Sequence, residues 1–281
     1  MHRRVADLPL LLQSGDLIVV NNTKVMPARV PGRTRSTGKL LDLLFVQDLG
    51  QGLWEVLIKG RFKPGALIDF SSGGCGEIVE RSQARTTVKV TGVTSVYDLM
   101  HATGTMPLPP YIKREPSQDD QQWYQTMFAQ QEGAIAAPTA GLHFTPHLVD
   151  ALIAKGIELA QVTLHVGPGT FRSVKSDRIE EHQMLAEQVE VSPGTVEQIK
   201  LVQKRGNRVL AVGTTVVRAL ETAGRGGRGI EPDVIADGAK FTAARGRIAE
   251  AAFFFSRQLV AGKIAGLESF KVEKQNFKAT L

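Results

Sequence analysis

The chain has 281 residues, 42% hydrophobic and 22% charged, the composition of a soluble globular protein with room for one large domain or two ordinary ones. No apolar run approaches the roughly 20 residues of a membrane span, LPLLL near the start lacks a cleavage site, and the single Cys75 excludes an intramolecular disulfide or a cysteine-based zinc site. The formal charge of +6 is uneven, since ten Lys and Arg face six Asp and Glu from Gly224 onward, so charge alone selects no polyanionic partner. The cytoplasm is the expected compartment.

Residues 5–14 carry apolar side chains at helical spacing and end at Ser14-Gly15-Asp16. LIVVNN (17–22) is a continuous apolar, β-branched run that predicts a buried strand meeting a loop at Asn21, Asn22 and Thr23. Ligands collect at such strand ends in open α/β sheets, although asparagines also serve simply to turn a chain. From Val25 to Thr94 the texture changes to short β-rich runs separated by Gly, Ser and Pro, which predicts a small barrel or sandwich. Basic residues decorate it: Arg29, Arg33, Arg35, Lys39, Lys59, Arg61 and Lys63. Such a rim could grip RNA, and an ordinary solvated surface is the plainer alternative for any one of them.

MPLPPYIKREP then forms a stiff linker carrying Tyr111, Lys113 and Arg114, an aromatic beside two cations that could stack on a base and hold phosphate. DDQQWYQTMFAQ reads as a helix opened by Asp119 and Asp120. After it, Thr145-Pro146 starts a helix through LVDALIAK, IELAQVTLHVG reads as a strand, and TVEQIKLVQKRG, RVLAVG and TTVVRALETA read as helix, strand and helix. Beyond Gly224 the pattern is lost, and FFFSRQLVAGKI reads at most as an isolated helix.

Four of the six histidines (His143, His147, His165 and His182) fall between Ala136 and Met184, with glycine-bearing loops and the acidic pair Glu180 and Glu181. His143 and His147 have the i, i+4 spacing of a helical zinc pair, but Pro146 lies between them and no glutamate accompanies them. General acid–base work fits better, because an imidazole exchanges protons near neutral pH. His165 precedes Gly167-Pro168-Gly169, and His143 follows Thr139-Ala140-Gly141, so both stand in loops that admit a ligand to the backbone. A structural histidine is a fair competitor for either alone. Thr214 and Thr215 open a helix whose free N–H groups attract an anion. There is no complete dinucleotide fingerprint, no phosphate loop ending in Gly-Lys-Ser/Thr and no Gly-x-Ser-x-Gly elbow.

Six stretches in order, GDLIVVNNTKVMPARV, MPLPPYIKRE, YQTMFAQQEGAIAAPTAGLHFT, VTLHVGPGTFRSV, IEEHQM and RVLAVGTTVVRALE, resemble the S-adenosylmethionine:tRNA ribosyltransferase-isomerase family of queuosine biosynthesis. The resemblance covers most of residues 8–223. It implies an α/β catalytic domain (residues 1–27 and 99–223) with an inserted β-barrel (residues 28–98). It also implies transfer and isomerisation of the ribosyl part of S-adenosylmethionine onto 7-aminomethyl-7-deazaguanine at the tRNA wobble position. S-adenosylmethionine is then a consumed substrate, and no cofactor, metal or membrane is expected; a monomer is.

Within that reading His165, His143 and His182 are the candidate proton carriers. Asn21, Asn22, Thr23, Arg29, Thr139, Gly141, Gly167, Gly169, Thr170, Phe171, Glu180, Thr214, Thr215 and Arg218 are the candidate substrate contacts, and Tyr111, Lys113 and Arg114 the candidate tRNA contacts. Against the family pattern the chain is expected to begin late, and after Ala223 to replace the closing segment, with its TNFHLP-like motif, by a divergent and poorly packed basic tail (residues 224–281). Two rivals are a non-catalytic RNA-binding remnant of the family and a metal-dependent hydrolase using the histidines.

Overall fold

The computed structural model describes residues 3–82, 85–171, 187–224, 233–235, 252–255 and 258–261. Strand β1 (Leu17–Asn21) is buried at every position. Leu17 and Val19 face one core while Ile18 and Val20 face another, so a strand covered on both faces needs a run that is apolar throughout. Ahead of it, α1 (Leu8–Leu11) is a single turn after a 3-10 turn at Val5–Asp7, shorter than the sequence suggests because Leu12 has already left helical geometry. Strand β2 (Thr23–Val25) continues directly from β1.

The β-rich region closes into a barrel. Strands β3 (Arg29–Thr34), β4 (Leu40–Gly50), β5 (Leu53–Ile58), β6 (Leu67–Phe70), β7 (Cys75–Arg81) and β8 (Thr86–Thr91) pair antiparallel in the order β3-β4-β5-β8-β7-β6, and β3 with β6 shuts the ring. Leu41, Leu43 and Phe45 alternate inward along β4, and Phe45 meets Trp54 edge to face with ring centroids 5.7 Å apart. Helix α2 (Val96–Thr103), capped by the Ser95 hydroxyl, packs Val96, Leu99 and Met100 against this core.

After the proline linker, α3 (Asp120–Trp123) is one turn rather than the longer helix suggested by DDQQWYQTMFAQ. The Asp120 carboxylate does not serve a helix terminus. It is 2% exposed, accepts both Arg114 Nη atoms at 2.6 Å and the Ser117 N–H at 2.7 Å, and Tyr124 then leaves helical geometry. Strand β9 (Gln131–Ala134) pairs parallel with β2. Helix α4 (Pro146–Ala154) starts as the sequence predicts, with Thr145 as N-cap and Pro146 in the first turn.

Strand β10 (Glu158–Leu164), β11 (Val189–Val191), helix α5 (Pro193–Lys204), β12 (Val209–Ala211) and α6 (Thr214–Ala223) complete the α/β layer. Strands β12, β1 and β10 run parallel, and β11 pairs antiparallel to β10. Residues of α5 and α6 join one core and residues of α1 and α4 the other. The mixed α/β architecture with an inserted barrel is thus the one the sequence predicts. Asp16 seams the sheet: its buried carboxylate accepts the Arg208 N–H at 2.9 Å, Arg208 Nη2 at 2.6 Å and the Gln13 N–H at 2.8 Å.

Three described strands lie beyond Gly224. Strand β13 (Asp233–Ile235) adds to β11 and makes the sheet five-stranded, in the order β12-β1-β10-β11-β13. Strands β14 (Ala252–Phe255) and β15 (Gln258–Ala261) pair as a hairpin. The hairpin replaces the isolated helix read from FFFSRQLVAGKI, in keeping with the strand preference of consecutive aromatics. The remainder of the predicted tail lies outside the described residues. Among the described residues no helix is long and apolar enough to cross a membrane.

Candidate functional site

The three parallel strands end at one edge of the sheet, and the loops beyond those ends gather the polar residues. Asn21 holds that edge together. Its Oδ1 accepts the Thr23 and Leu164 N–H groups at 3.1 Å each, and its Nδ2 donates to the Leu164 carbonyl at 3.0 Å. Asn22 does similar work, accepting from the Thr163 hydroxyl at 2.8 Å and donating to Gln161 Oε1 at 3.1 Å. Both amides are buried and hydrogen-bonded inside the protein, so they position the loop. The physical reason is that β1 and β10 end side by side, and their last polar groups need partners away from water.

That stitching sets Thr23 against His165. Thr23 is fully buried, and its hydroxyl lies 2.7 Å from His165 Nδ1. On its other side the ring meets Gly133, where a Cβ would fall 2.6 to 2.7 Å from the imidazole atoms. The backbone around the histidine is pinned too: His165 N–H donates to the Gln188 carbonyl at 3.0 Å, and Ile135 N–H to the Val166 carbonyl at 2.9 Å. Burial pushes the His165 pKa below its ordinary value, favouring the neutral ring.

His165 lines a cleft of about 120 Å³ between the sheet edge and the barrel. The barrel wall contributes Trp54, Asp48 and Glu55, with Tyr97 of α2; the sheet side contributes Glu132, Gly133, Gly167 and Glu187. Glu132 accepts Lys24 Nζ at 2.9 Å and lies 3.1 Å from His101 Nε2. Burial works to raise its pKa, but these hydrogen bonds outweigh it and hold the carboxylate below its ordinary range. Burial, with the charges of Asp48 and Glu132 nearby, raises the Tyr97 phenol. Glu187 accepts the Gly167 N–H at 3.1 Å and pairs with Arg218 at 2.5 Å, tying the loop after β10 to the second turn of α6.

The other candidates from the sequence are placed as follows. Gly167 lines the cleft, and Gly169 and Thr170 lie in the 3-10 turn Pro168–Phe171; the Phe171 side chain, Glu180 and His182 lie outside the described residues. Thr139, Gly141 and the exposed His143 form the 3-10 turn Thr139–His143, which stands over the start of α6, since a Cβ on Gly213 would meet Ala140 at 2.8 Å. Gly213 has φ +86° and precedes the exposed Thr214 and the buried Thr215. His143 does not line the cleft.

Three cations expected at substrate or tRNA are matched within the protein: Arg218 by Glu187, Arg29 by Asp42 of β4 at 2.6 Å, and Arg114 by Asp120. Asp120 lies six positions from Arg114 and Asp42 thirteen from Arg29, while Glu187 reaches Arg218 from the far side of β11 and α5. Lys113 and Tyr111 are exposed. Trp54, Tyr97, Glu132, Gly133 and Glu187 escaped the sequence reading, since nothing in a barrel strand or a lone glutamate announces a cleft formed only when the barrel docks. Among the described residues no three His, Cys, Asp or Glu side chains converge as a metal site.

The family described as "Queuosine biosynthesis protein" matches residues 1–248. The chain belongs to this family. Among its relatives, the S-adenosylmethionine:tRNA ribosyltransferase-isomerase of Heliobacterium modesticaldum is 42% identical over 245 residues, 86% of this chain and 70% of the relative. The enzyme of the same name from Xanthomonas oryzae pv. oryzae is 44% identical over 225 residues, 79% of this chain and 63% of the relative. A crystal structure of an S-adenosylmethionine tRNA ribosyltransferase from Thermotoga maritima is similar over 90% of this chain and 72% of that one, at 25% identity and a TM-score of 0.36. The queuosine-family match takes in the barrel, β1, β9, β10 and β11, hence every described element around His165.

Proposed function

We propose that the chain carries out the ribosyl transfer and isomerisation named for its relatives. S-adenosylmethionine and tRNA bearing 7-aminomethyl-7-deazaguanine at the wobble position would give epoxyqueuosine-tRNA, adenine and methionine. The observation that carries this reading is the family match across residues 1–248, which spans the whole described cleft.

The chemistry of the cleft is compatible with it. Asp48, Glu55, Glu132 and Glu187 line it; Lys24 pairs with Glu132, Arg85 with Glu55 and Arg218 with Glu187, which among the described residues leaves the Asp48 carboxylate to face a cationic sulfonium. Trp54 and Tyr97 add aromatic wall beside those carboxylates. The sulfonium acidifies the adjacent ribose C5′–H, so the reaction needs a base there and a donor toward the departing purine. His165 is the imidazole at the cleft, and His143, on the turn over α6, is a second proton carrier from outside it. The exposed Tyr111 and Lys113 are the proposed tRNA contacts, with Arg114 oriented by Asp120. With tRNA as its substrate, the reaction would run in the cytoplasm.

The test mixes the full chain, S-adenosylmethionine and precursor-bearing tRNA and follows adenine by chromatography. Adenine and methionine in equal amounts, dependent on tRNA, are expected. Tight, salt-sensitive tRNA binding without adenine would instead mark an RNA-binding protein and defeat the proposal.

A further inference from the structure

The pairing of Thr23 with His165 bears on which ring nitrogen carries the proton. A neutral imidazole has one N–H and one lone pair. The Thr23 hydroxyl is buried, and among the described residues its one hydrogen-bond partner is His165 Nδ1, at 2.7 Å. If Nδ1 carried the proton, it would donate to the hydroxyl, and the buried hydroxyl's own hydrogen would have no acceptor among the described residues. If Nδ1 carries the lone pair, the hydroxyl donates to it and both groups are satisfied. The proton then sits on Nε2, which has no hydrogen-bond partner among the described residues and belongs to the ring that lines the cleft.

We infer that Thr23 is a positioning residue that fixes His165 as the Nε2–H tautomer, so that His165 serves the cleft as a neutral hydrogen-bond donor and not as its base. This rests on the proposed function for the identity of the acceptor, a developing negative charge on the leaving purine or on a ribosyl oxygen, but not for the tautomer itself. The consequence is chemical. In this tautomer the only basic lone pair of the ring faces Thr23, so Nε2 can accept no proton from a ribose C–H. Protonating the ring would turn Nδ1 into a donor and force the hydroxyl to give up its acceptor. Burial of the ring opposes the cation in the same direction. Base work then belongs to another group.

Three features hold the arrangement. Asn21 ties the backbone of Thr23 to that of Leu164, one residue before His165. The His165 N–H is anchored on the Gln188 carbonyl. Gly133 lies so close to the ring that no side chain fits between them, so the imidazole has little space in which to swing away from Thr23. The charged groups lining the cleft around the ring are Asp48, Glu55, Arg85, Glu132 and Glu187. Their titration would shift the ring's pKa, but not which of its nitrogens Thr23 occupies.

The deciding experiment is nitrogen NMR of the full chain labelled at histidine, read at pH 7 without substrate, with His165→Gln used to assign the resonance. The expected spectrum has Nδ1 at a pyridine-like shift and Nε2 at a pyrrole-like one. The reverse pattern in the native chain overturns the inference outright, whether or not any variant folds. Thr23→Val is expected to move both shifts toward a mixture of tautomers and to lower kcat for adenine release on the order of tenfold or more, with KM for S-adenosylmethionine little changed. Thr23→Ser should restore both the shifts and kcat. Unchanged shifts in a folded Thr23→Val would overturn the role of Thr23. A native chain that shows the expected tautomer but releases no adenine would instead count against the proposed reaction and leave the tautomer standing.

Discussion

At Gly133 a small change should have a large effect on the site. A methyl group there would lie 2.6 Å from His165 Cε1 and Nδ1, well inside van der Waals contact, at a φ of +153° that side chains rarely adopt, so the ring must move or β9 must bend. Gly133→Ala is therefore expected to cut adenine release by about 100-fold, the scale of an ångström's misplacement of a reacting group, while the thermal midpoint falls by only a few degrees. A steady-state assay beside a thermal melt checks this; full activity in the variant would mean that the ring does not sit where the cleft chemistry needs it. His165 could be chosen from the sequence because it precedes a Gly-Pro-Gly turn at a strand end. Its two controlling neighbours could not. Thr23 lies 142 positions away in sequence, and Gly133 looks like any glycine in a small-residue stretch. Asn21 and Asn22 invited a reading as ligand contacts because they end an apolar strand, and the same placement makes them the groups that must satisfy the adjoining strand end.

Among the elements, α4 is legible to its first residue, whereas the sequence reading starts α5 at Thr195 and passes over its true start. Helices α4 and α5 each begin with a hydroxyl residue followed by proline. The Thr145 hydroxyl accepts the Leu148 N–H at 3.3 Å, and the Ser192 hydroxyl accepts the Thr195 N–H at 3.2 Å. Replacing either with alanine is expected to cost about 1 kcal/mol of stability. The Ser192 substitution should cost the more, because its hydroxyl also donates to Thr195 Oγ1, which in turn donates to the Gln161 carbonyl in β10. Denaturant titration of the two variants measures the difference; equal and negligible losses would show that packing alone fixes these helix starts. Helix α3 was misjudged for another reason. Paired aspartates are a good sign of a helix start, but Arg114 captures Asp120 from outside the segment, and no local pattern shows that.

At the scale of the whole molecule, the sequence conveyed the layers and the insertion, because strand texture and helix periodicity are local properties. It did not convey the cleft, because Trp54 and Tyr97 come from the barrel and its attached helix and meet His165 only through docking. It did not convey charge pairing either, and this has a consequence for stability. Asp16 and Asp120 are both almost wholly buried. Burial is the largest influence on Asp16 and would raise its pKa, but hydrogen bonds from Arg208 and the Gln13 N–H together prevail and hold it below the ordinary carboxylate value. For Asp120 the hydrogen bonds from Arg114 lead and burial opposes them, with the carboxyl held far below the ordinary range.

A carboxyl whose pKa is lower in the folded chain than in the unfolded one contributes fully above the unfolded value, near 3.8 for aspartate, and loses that contribution as pH falls toward the folded value. The chain should therefore be stable from neutral pH down to about pH 5 and lose stability steeply below about pH 4. Asp16→Asn and Asp120→Asn should flatten that slope, because the amide cannot titrate, while lowering stability at pH 7. For Asp16 the loss is expected to be about 2 kcal/mol, less than the roughly 3 to 5 of a fully buried broken pair, since the Arg208 side chain is 35% exposed and partly screened. Denaturant unfolding between pH 3 and pH 7 measures both the slope and the loss. A native slope that survives in both variants would place the acid sensitivity elsewhere in the chain.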